Sequence, residues 1–183
     1  RLTDLVADPR ITARYPALAE RSVLISSFGK TFHATGWKVG YSCAPRALAA
    51  EIRRVHQFMV FTVNSAMQHG LATYLDDPSP WQTLPSFYQA RRDRFREGLA
   101  ATRFELLPCA GTYFQLVRYA AITDRCGPLD EGAFCQWLVR EAGVAAIPVS
   151  AFYVEPRESG IVRLCFAKKV ETLDEAIGRL ARL

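Results

Sequence analysis

The sequence predicts an α/β protein, and three observations lead to this fold class. Short β-branched segments alternate with longer segments whose apolar residues recur every three or four positions, so strands alternate with helices. Half of the 183 residues are hydrophobic and 22% are charged, which is typical of a globular protein with a buried core. The run Asp-Asp-Pro-Ser-Pro at residues 76–80 interrupts the alternation, and it predicts a boundary between a domain of residues 1–78 and one of residues 79–183.

The first domain is predicted to hold two strands followed by two helices. Residues 1–21 carry two prolines and little periodicity, so we expect them to be irregular apart from at most one helical turn. The first strand is a short β-branched run and is expected to be buried, and Pro45 ends the second strand. Asn64 or Ser65 can cap the second helix. The predicted elements are strands at 23–26 and 39–43 and helices at 46–58 and 64–75.

The second domain is predicted to be a small α+β unit. Gly143 follows a helical pattern and is a plausible residue to end that helix. Thr172 and Glu175 have the spacing of a capping box, so we expect the last helix to begin there. The predicted elements are a long helix after Pro80, a strand at 112–117, a helix at 130–141, strands at 144–148 and 161–166, and a closing helix.

The charge distribution gives no sign of a nucleic-acid partner. The net charge is a modest +5. Four arginines cluster at positions 91, 92, 94 and 96, but on a helix they fan round the surface instead of forming one basic stripe. We therefore expect no binding of nucleic acid.

Cysteine usage and hydropathy indicate a cytoplasmic protein without a metal site. The five cysteines are odd in number and scattered, with no Cys-x-x-Cys pair, which argues against a disulfide framework and against a zinc site. The three histidines show no metal-ligand spacing. No apolar run approaches the roughly 20 residues that span a bilayer, and the sequence begins with no signal-peptide pattern, so we expect no membrane contact.

The residues around Lys30 have the composition of a covalent cofactor site. A lysine amine is protonated near neutral pH, and a nearby cation or an apolar pocket frees it to attack an aldehyde. Ser27 precedes Lys30 by three residues and Lys38 follows it by eight, so a hydroxyl and a second cation are available for a phosphate. Gly36 and Gly40 would let the backbone turn tightly and approach a ligand. This set suits pyridoxal phosphate (PLP); the alternative is a surface lysine in a glycine-containing loop.

The same segment resembles a known enzyme family. Ser27-x-x-Lys30 followed by Thr35-Gly36-Trp37-Lys38-x-Gly40 resembles the lysine segment of class I aminotransferases, which are PLP enzymes of fold type I. Segments 56–58, 111–114, 134–138 and 161–169 are similar to bacterial methionine aminotransferases, close to the kynurenine and glutamine transaminases. The resemblance runs from about residue 15 to residue 183 and corresponds to the C-terminal half of such an enzyme. It implies the end of the large PLP domain, with residues 1–14 atypical, followed by the small C-terminal domain.

The resemblance assigns roles to four residues within one subunit. Lys30 would hold PLP covalently and then move the proton of the substrate Cα, acting as base and as acid. Ser27 and Lys38 would bind the cofactor phosphate. Arg163 would bind the substrate α-carboxylate through both guanidinium nitrogens. Without the resemblance, Arg163 would be interpreted as a strand arginine in a surface ion pair.

Two further residues are assigned to a site on a neighbouring subunit. In such enzymes, which are homodimers, the segment that corresponds to residues 61–65 reaches the partner's active site. Ser65 would contact the partner's phosphate and Phe61 would line its side-chain pocket. Ala66 stands where many relatives carry proline. Core packing is the alternative interpretation of Phe61.

Other parts of the expected active site are missing from the sequence. Relatives carry an acidic residue for the pyridine nitrogen, upstream of the lysine in an Asp-x-x-Tyr pattern. Asp4 and Asp8 precede Lys30 but have no tyrosine three residues on, and Tyr15 stands alone. We therefore expect a truncated product, a fragment or one piece of a split enzyme, with weak PLP affinity and no useful turnover by itself.

The resemblance predicts transfer of an amino group between a neutral amino acid, such as methionine or an aromatic one, and a 2-oxo acid. Two alternatives stay open at this point. One is another fold type I reaction, such as β-elimination of a sulfur amino acid. The other is a non-catalytic relic or partner-binding module that retains an orphan lysine.

Overall fold

A computed structural model describes residues 15–155, 157 and 159–183. The chain divides into two compact units, one ending at Gln82 and the other comprising Thr83–Leu183. The boundary predicted from the sequence, after residue 78, lies a few residues before this division. The expectation that residues 1–14 are irregular lies outside the described residues.

The first unit contains a two-stranded antiparallel sheet and several helices. Leu24 pairs with Cys43 at one end of the sheet and Ser27 with Gly40 at the other. Asn64 caps the helix that follows it, since its side-chain oxygen accepts a hydrogen bond from the Met67 N–H at 3.1 Å. The described elements are α1 Pro16–Ala19, β1 Leu24–Ser27, α2 Phe28–Thr31, β2 Gly40–Cys43, α3 Arg46–Met59, α4 Ser65–Tyr74 and α5 Ser79–Gln82.

These elements confirm both predicted strands and both predicted helices, but the expected burial of the first strand is wrong. Ile25 in the middle of β1 is 81% exposed, and all four residues of β2 are exposed. A two-stranded ribbon buries only the faces that other elements cover, and no described residue of this unit covers Ile25. The β-branched composition therefore identified a strand correctly and its environment incorrectly.

The second unit is a four-stranded antiparallel sheet covered by helices. The strand order is β3-β4-β6-β5. A 3₁₀ turn, Ala120–Ile122, precedes α7, and another, Val149–Phe152, follows β5. The described elements are α6 Leu84–Ala100, β3 Glu105–Leu106, β4 Phe114–Arg118, α7 Thr123–Cys126, α8 Glu131–Ala142, β5 Ile147–Pro148, β6 Ile161–Cys165 and α9 Val170–Leu180.

The core of this unit lies between one face of the sheet and its helices. Side chains alternate along β4 and β6, so that Val117 and Val162 face the core while Leu116 and Arg163 lie on the opposite face. Residues of all the larger helices complete the cluster. Its fully or nearly fully buried members include Phe95, Leu99, Val117, Ile122, Phe134, Leu138, Val162, Leu164, Phe166, Leu173 and Leu180.

The boundaries of α8 confirm the sequence prediction and those of α9 do not. Asp130 caps α8, and Gly143 ends it in a left-handed conformation with φ of 63°. By contrast, α9 begins at Val170, without a side-chain cap, so the predicted capping box at Thr172 is wrong. Apolar residues at three-to-four-residue spacing, from Leu173 onward, face the core, and this packing defines the helix instead.

The strands of the second unit are shorter than predicted. β4 begins at Phe114 because Thr112 has a φ of 69°, which is incompatible with a strand. β5 comprises two residues where five were expected in 144–148. β3 was not predicted, since two residues are too few to form a pattern.

The described residues also bear on membranes, metals and disulfides. No helix among them has the length and hydropathy needed to cross a membrane. Nor do they contain a group of three or more His, Cys, Asp or Glu side chains arranged to hold a metal ion. All five cysteines fall within the described ranges and are free.

Candidate active site

Lys30 lies on a single helical turn, α2, that begins directly after β1. Ser27 ends the strand and caps the turn: its Oγ accepts a hydrogen bond from the Gly29 N–H at 3.1 Å. A capping hydroxyl that accepts one hydrogen bond can still donate its own proton. Both Ser27 and Lys30 are exposed, so a hydroxyl and an amine are presented together at the end of the strand.

The turn is held closed by contacts within residues 28–39. The Thr35 hydroxyl donates to the Gly29 carbonyl oxygen at 3.1 Å, and the Phe28 N–H donates to the Val39 carbonyl oxygen at 3.2 Å. Gly29 is buried, and a Cβ added there would lie 3.1 Å from the Thr35 Cα and 3.2 Å from the Ser27 Oγ. No sequence pattern predicts a role for Gly29, although the closed loop requires a small residue at this position.

The two glycines that were expected to approach a cofactor have other environments. A Cβ on Gly40 would lie 2.5 Å from the Ser26 carbonyl oxygen, so Gly40 is required by the pairing of β1 with β2. A Cβ on Gly36 would meet nothing within 4 Å among the described residues. The backbone of Gly40 therefore closely approaches the neighbouring strand β1 of its own sheet.

Lys38 belongs to the same closed loop as Lys30. It ends the 3₁₀ turn Thr35–Trp37 in a left-handed conformation with φ of 54°, and it is exposed. Such a conformation costs a non-glycine residue about 1 kcal/mol and persists only where the surrounding structure imposes it. The buried Val39 that follows fixes the backbone at this point.

A cluster of aromatic side chains packs around the turn that carries Lys30. Phe28 packs against Tyr41 with ring centroids 5.3 Å apart, and Phe32 packs edge-on against Tyr74 at 5.5 Å and Trp81 at 6.1 Å. These contacts connect the turn to β2, α4 and α5. A cavity of about 200 Å³ lies among the same rings, Ser26, Ser27, Thr31 and Leu75.

Arg163 lies at the centre of β6, in the second unit. It stands opposite Leu116 of β4 and Ile147 of β5. Its Cζ is 4.6 Å from the centroid of the Phe114 ring and 5.0 Å from that of the Phe152 ring. Contacts with ring faces use none of the five N–H donors of a guanidinium.

The alternative interpretation of Arg163, a surface ion pair, is wrong for the described residues. Among them no carboxylate lies within ion-pair distance of its guanidinium, and the side chain is half-buried. The sequence alone predicts no role for Phe114 or Phe152. Phe114 belongs to segment 111–114, which carries part of the family resemblance. No motif or spacing in the sequence indicates a role for Phe152.

Phe61 and Ser65 lie on an exposed segment of the first unit. Phe61 follows α3 in a left-handed conformation with φ of 66° and is 80% exposed, so core packing of this residue is wrong. The neighbouring Phe58 is 85% exposed. Ser65 is the first residue of α4 and is also exposed. The described residues leave this apolar segment uncovered.

The structure thus brings three of the six predicted residues into one loop. Lys30 and Lys38 are exposed on the segment that the Phe28–Val39 hydrogen bond closes, and Ser27, also exposed, immediately precedes that segment. An amine for an aldehyde, together with a hydroxyl and an ammonium for a phosphate, fits a ligand that carries both groups, as PLP does. Phe61 and Ser65 lie elsewhere in the first unit, and Arg163 lies in the second.

Comparison with known sequences identifies one family. The profile of the family "Aminotransferase class I and II" matches residues 4–180. The chain is 51% identical to the methionine aminotransferase of Escherichia coli (strain K12) over 170 residues, which cover 92% of this chain and 43% of that protein. It is 37% identical over 182 residues to a probable N-succinyldiaminopimelate aminotransferase, DapC, of Mycobacterium tuberculosis, covering 93% of this chain and 45% of that one.

Solved structures give the same result. The E. coli protein YbdL, whose structure and reactivity identify a methionine aminotransferase function, superposes with a TM-score of 0.87 at 49% identity and covers 97% of this chain and 45% of that chain. The N-succinyldiaminopimelate aminotransferase of M. tuberculosis gives a TM-score of 0.79 at 37% identity, with 93% and 44% coverage. The chain spans less than half the length of these relatives.

Proposed function

The chain belongs to the class I and II aminotransferases, whose profile matches residues 4–180, and from this premise we propose that the protein transfers an amino group between a neutral amino acid and a 2-oxo acid. The family and the α/β fold type I class predicted from the sequence are confirmed. Methionine and aromatic amino acids are the proposed donors, supported by 51% identity to a methionine aminotransferase. The observation that carries the proposal is the loop that holds Ser27, Lys30 and Lys38 together.

Three residues of this loop would hold the cofactor of the family, pyridoxal phosphate. When bound, PLP supplies the electron sink that stabilises negative charge on the substrate Cα. Lys30 would bind its aldehyde covalently, and the Ser27 hydroxyl and the Lys38 ammonium would bind its phosphate. The aromatic cluster around Phe32 would keep the turn, and with it the Lys30 amine, in a fixed position.

Lys30 and Arg163 would act directly on the substrate. Once the amino group of the substrate has displaced Lys30 from the cofactor, the freed Lys30 amine would take the proton from the substrate Cα as a base and then give it up as an acid. Arg163 binds the α-carboxylate through two N–H groups, and its ring-face contacts with Phe114 and Phe152 leave those groups available. Fixing the carboxylate at one end fixes the Cα–H bond for transfer.

Phe61 and Ser65 are proposed to act in the active site of a second subunit of a homodimer. Supporting this are the 80% exposure of Phe61 and its left-handed backbone. Residues 1–78 are proposed to belong to the large PLP-binding domain and 79–183 to the small domain. The proposed location is the cytoplasm, where five free cysteines remain reduced.

The test begins with covalent capture of PLP on the full chain. We expect borohydride reduction followed by peptide mass spectrometry to find the PLP adduct on Lys30, and none there in Lys30→Ala. Lys169→Ala, which removes another exposed lysine, serves as the matched control and keeps the adduct. Labelling of several lysines to similar extents, without preference for Lys30, would contradict the proposal.

Product analysis then separates the reactions that use such a lysine. The PLP-loaded protein is given methionine and a 2-oxo acid without sulfur. A new amino acid formed from that 2-oxo acid supports transfer. Release of ammonia, a thiol and a 2-oxo acid from an S-substituted cysteine, whose sulfur is on Cβ, would instead show β-elimination. Capture of PLP with neither product would show that this chain does not catalyse the reaction by itself.

A further inference from the structure

Glu131 is a fully buried carboxylate that binds two separate parts of the chain. It is the first residue of α8 and has no exposed surface. Its Oε2 accepts a hydrogen bond from the Ser150 N–H at 2.6 Å. Its Oε1 accepts from the Ser159 N–H and hydroxyl, both at 2.8 Å, and from the Ile161 N–H at 3.0 Å.

These hydrogen bonds keep the carboxylate ionised. Burial by itself raises the pKa of Glu131, but the three backbone N–H groups and one hydroxyl that donate to it outweigh burial and lower the pKa from 4.5 to about 2. Hydrogen bonds to a charged acceptor are roughly twice as strong as neutral ones. The Glu131 carboxylate therefore binds α8 strongly to residues 150, 159 and 161.

The backbone groups that donate to Glu131 lie close in the sequence to Phe152 and to Arg163. Ser150 lies in the 3₁₀ turn Val149–Phe152, two residues before Phe152. Ile161 begins β6, two residues before Arg163. The Cζ of Arg163 lies 5.0 Å from the centroid of the Phe152 ring. One carboxylate thus holds the two backbone segments whose side chains make this contact.

Glu131 is not needed to cap its own helix. The Asp130 side chain already accepts a hydrogen bond from the Ala133 N–H at 2.7 Å and caps α8. The acceptor oxygens of Glu131 are directed to residues 150, 159 and 161, and a purely helical role would not require this.

We propose that Glu131 is a positioning residue, which holds Phe152 against Arg163 and so fixes the guanidinium that receives the substrate α-carboxylate. The proposal rests on the carboxylate-binding role of Arg163 given above. Phe152 is 61% exposed, and the 3₁₀ turn that carries it is held to Glu131 through the Ser150 N–H, so its place over the guanidinium depends on the backbone that Glu131 holds. The expected consequence is a loss of substrate affinity when the Glu131 contact is removed.

The first measurement is the NMR resonance of the Arg163 Nε–H in the full chain, assigned by its absence in Arg163→Lys. Ring faces shift this resonance, so Phe152→Ala moves it by a defined amount. We expect Glu131→Gln to move the resonance in the same direction. The substitution replaces one acceptor oxygen with an NH₂ donor that would face backbone N–H groups, so part of the contact is lost and Phe152 is no longer held over the guanidinium. Asp130→Ala is the matched control, because it weakens the same end of α8 without removing the Glu131 carboxylate. We expect it to leave the resonance in place.

The result that overturns the proposal is a resonance that stays in place in Glu131→Gln and moves in Phe152→Ala. If Glu131→Gln does not fold, Ser159→Ala decides in its place, since it removes one donor to the carboxylate and keeps the charge. A smaller shift in the same direction supports the proposal, and no shift overturns it.

The second measurement separates this inference from the function on which it rests. The 2-oxo acid of methionine is titrated into each variant in a calorimeter, which measures its Kd in Arg163→Lys as well as in variants that retain the Arg163 resonance. We expect a Kd raised roughly tenfold in Glu131→Gln, as for a small misplacement of a binding group, and loss of binding in Arg163→Lys. Unchanged affinity in Glu131→Gln, with loss in Arg163→Lys, overturns the role of Glu131 alone. Unchanged affinity in Arg163→Lys overturns the carboxylate site itself, and the resonance comparison still decides whether Glu131 positions Phe152.

Discussion

The two glycines that follow Lys30 differ in what the structure requires of them. A Cβ on Gly40 would overlap the Ser26 carbonyl oxygen at 2.5 Å, and backbone atoms paired in a sheet cannot move aside independently. Nothing described lies within 4 Å of the corresponding position at Gly36, whose φ is not in the left-handed region. Spacing alone could not distinguish these two residues.

We therefore predict opposite results for alanine at the two positions. Gly40→Ala should lower the free energy of unfolding by about 1–3 kcal/mol, the range for overpacking. Gly36→Ala should change it by less than about 1 kcal/mol, with stabilisation the expected sign, because alanine restricts the unfolded chain. Urea unfolding of both variants measures the difference. Equal losses would show that the β1–β2 contact does not determine the requirement for glycine.

Glu131 gives a pH dependence whose sign follows from its lowered pKa. Since the carboxylate is stabilised in the folded state, its contribution is complete above pH 4.5 and is lost as the pH falls towards about 2. The shift from 4.5 to about 2 corresponds to roughly 3 kcal/mol. Cys135 stays uncharged in this range, because burial and the nearby Glu131 charge raise its pKa to about 11.

The corresponding measurement is the difference in unfolding free energy between the unmodified chain and Glu131→Gln as a function of pH. We expect this difference to be largest at neutral pH and to shrink steadily below pH 4.5. Ser86→Ala, which removes an exposed hydroxyl bonded to the Thr83 carbonyl oxygen, should show a difference independent of pH. A difference for Glu131→Gln that is constant from pH 7 to pH 3 would be inconsistent with the lowered pKa.

At the scale of elements, α6 and α9 pack closely at a glycine. A Cβ on Gly98 of α6 would lie 2.5 Å from the Ile177 Cδ1 of α9. The same two helices are joined by Arg94 and Asp174, whose bidentate hydrogen bonds are 2.7 and 2.6 Å long. Because that ion pair is exposed, solvent screening leaves it little effect on stability, and the apolar contact sets the helix separation.

Gly98→Ala is therefore predicted to destabilise the second unit by about 1–2 kcal/mol, although alanine is the better helix former. Ile177→Val removes the nearest atom, so in the double variant the two losses should be less than additive by at least about 0.5 kcal/mol. Gly178→Ala on α9 is the control. No described atom lies within 4 Å of its added Cβ, and it should stabilise by up to about 1 kcal/mol. Strict additivity in the double variant would contradict the close packing.

Local interactions explain which element boundaries were predictable. The helix at 46–58 was found because its apolar spacing is local, and Asn64, Asp130 and Gly143 marked helix ends through contacts within a few residues. The start of α9 was missed because core packing placed it two residues before the apparent capping box. Short strands were missed or overextended, since two residues carry no period.

At the scale of the whole molecule, the segment at the end of α3 exposes several large apolar side chains in succession. Phe58, Met59 and Phe61 are 85%, 77% and 80% exposed. A homodimer would cover such a patch at little cost, because exposed aromatic side chains gain the most from burial. This is the segment from which Phe61 and Ser65 are proposed to reach a second subunit.

The proposed homodimer predicts that the double variant Phe58→Asp/Phe61→Asp is monomeric at concentrations at which the unmodified chain is dimeric, as measured by analytical ultracentrifugation. At concentrations at which both proteins are monomeric, its unfolding free energy should differ from that of the unmodified chain by less than about 1 kcal/mol, because neither residue is buried within the described chain. Val154→Asp, at an exposed apolar residue of the second unit, should leave the dimer unchanged. A dimer that persists in the double variant would place the subunit contact elsewhere.

The sequence by itself determined the family and the loop chemistry of this protein. Ser27, Lys30 and Lys38 lie within twelve consecutive residues, and their spacing could be recognised without knowing the fold. The helices with strong apolar periodicity were identified for the same reason: each depends on interactions between residues close together in the chain.

Only the tertiary structure decided the surroundings of Arg163 and the exposure of the first sheet. Phe114, Phe152 and Glu131 come from different elements, and they reach Arg163 or its backbone only because β4, β5 and β6 pair in one sheet with α8 beside it. Likewise, the β-branched pattern of β1 could not show that Ile25 has nothing packed against it. The physical reason is the same in both cases. Contacts between distant residues depend on how the elements are arranged in space, and local sequence patterns do not encode that arrangement.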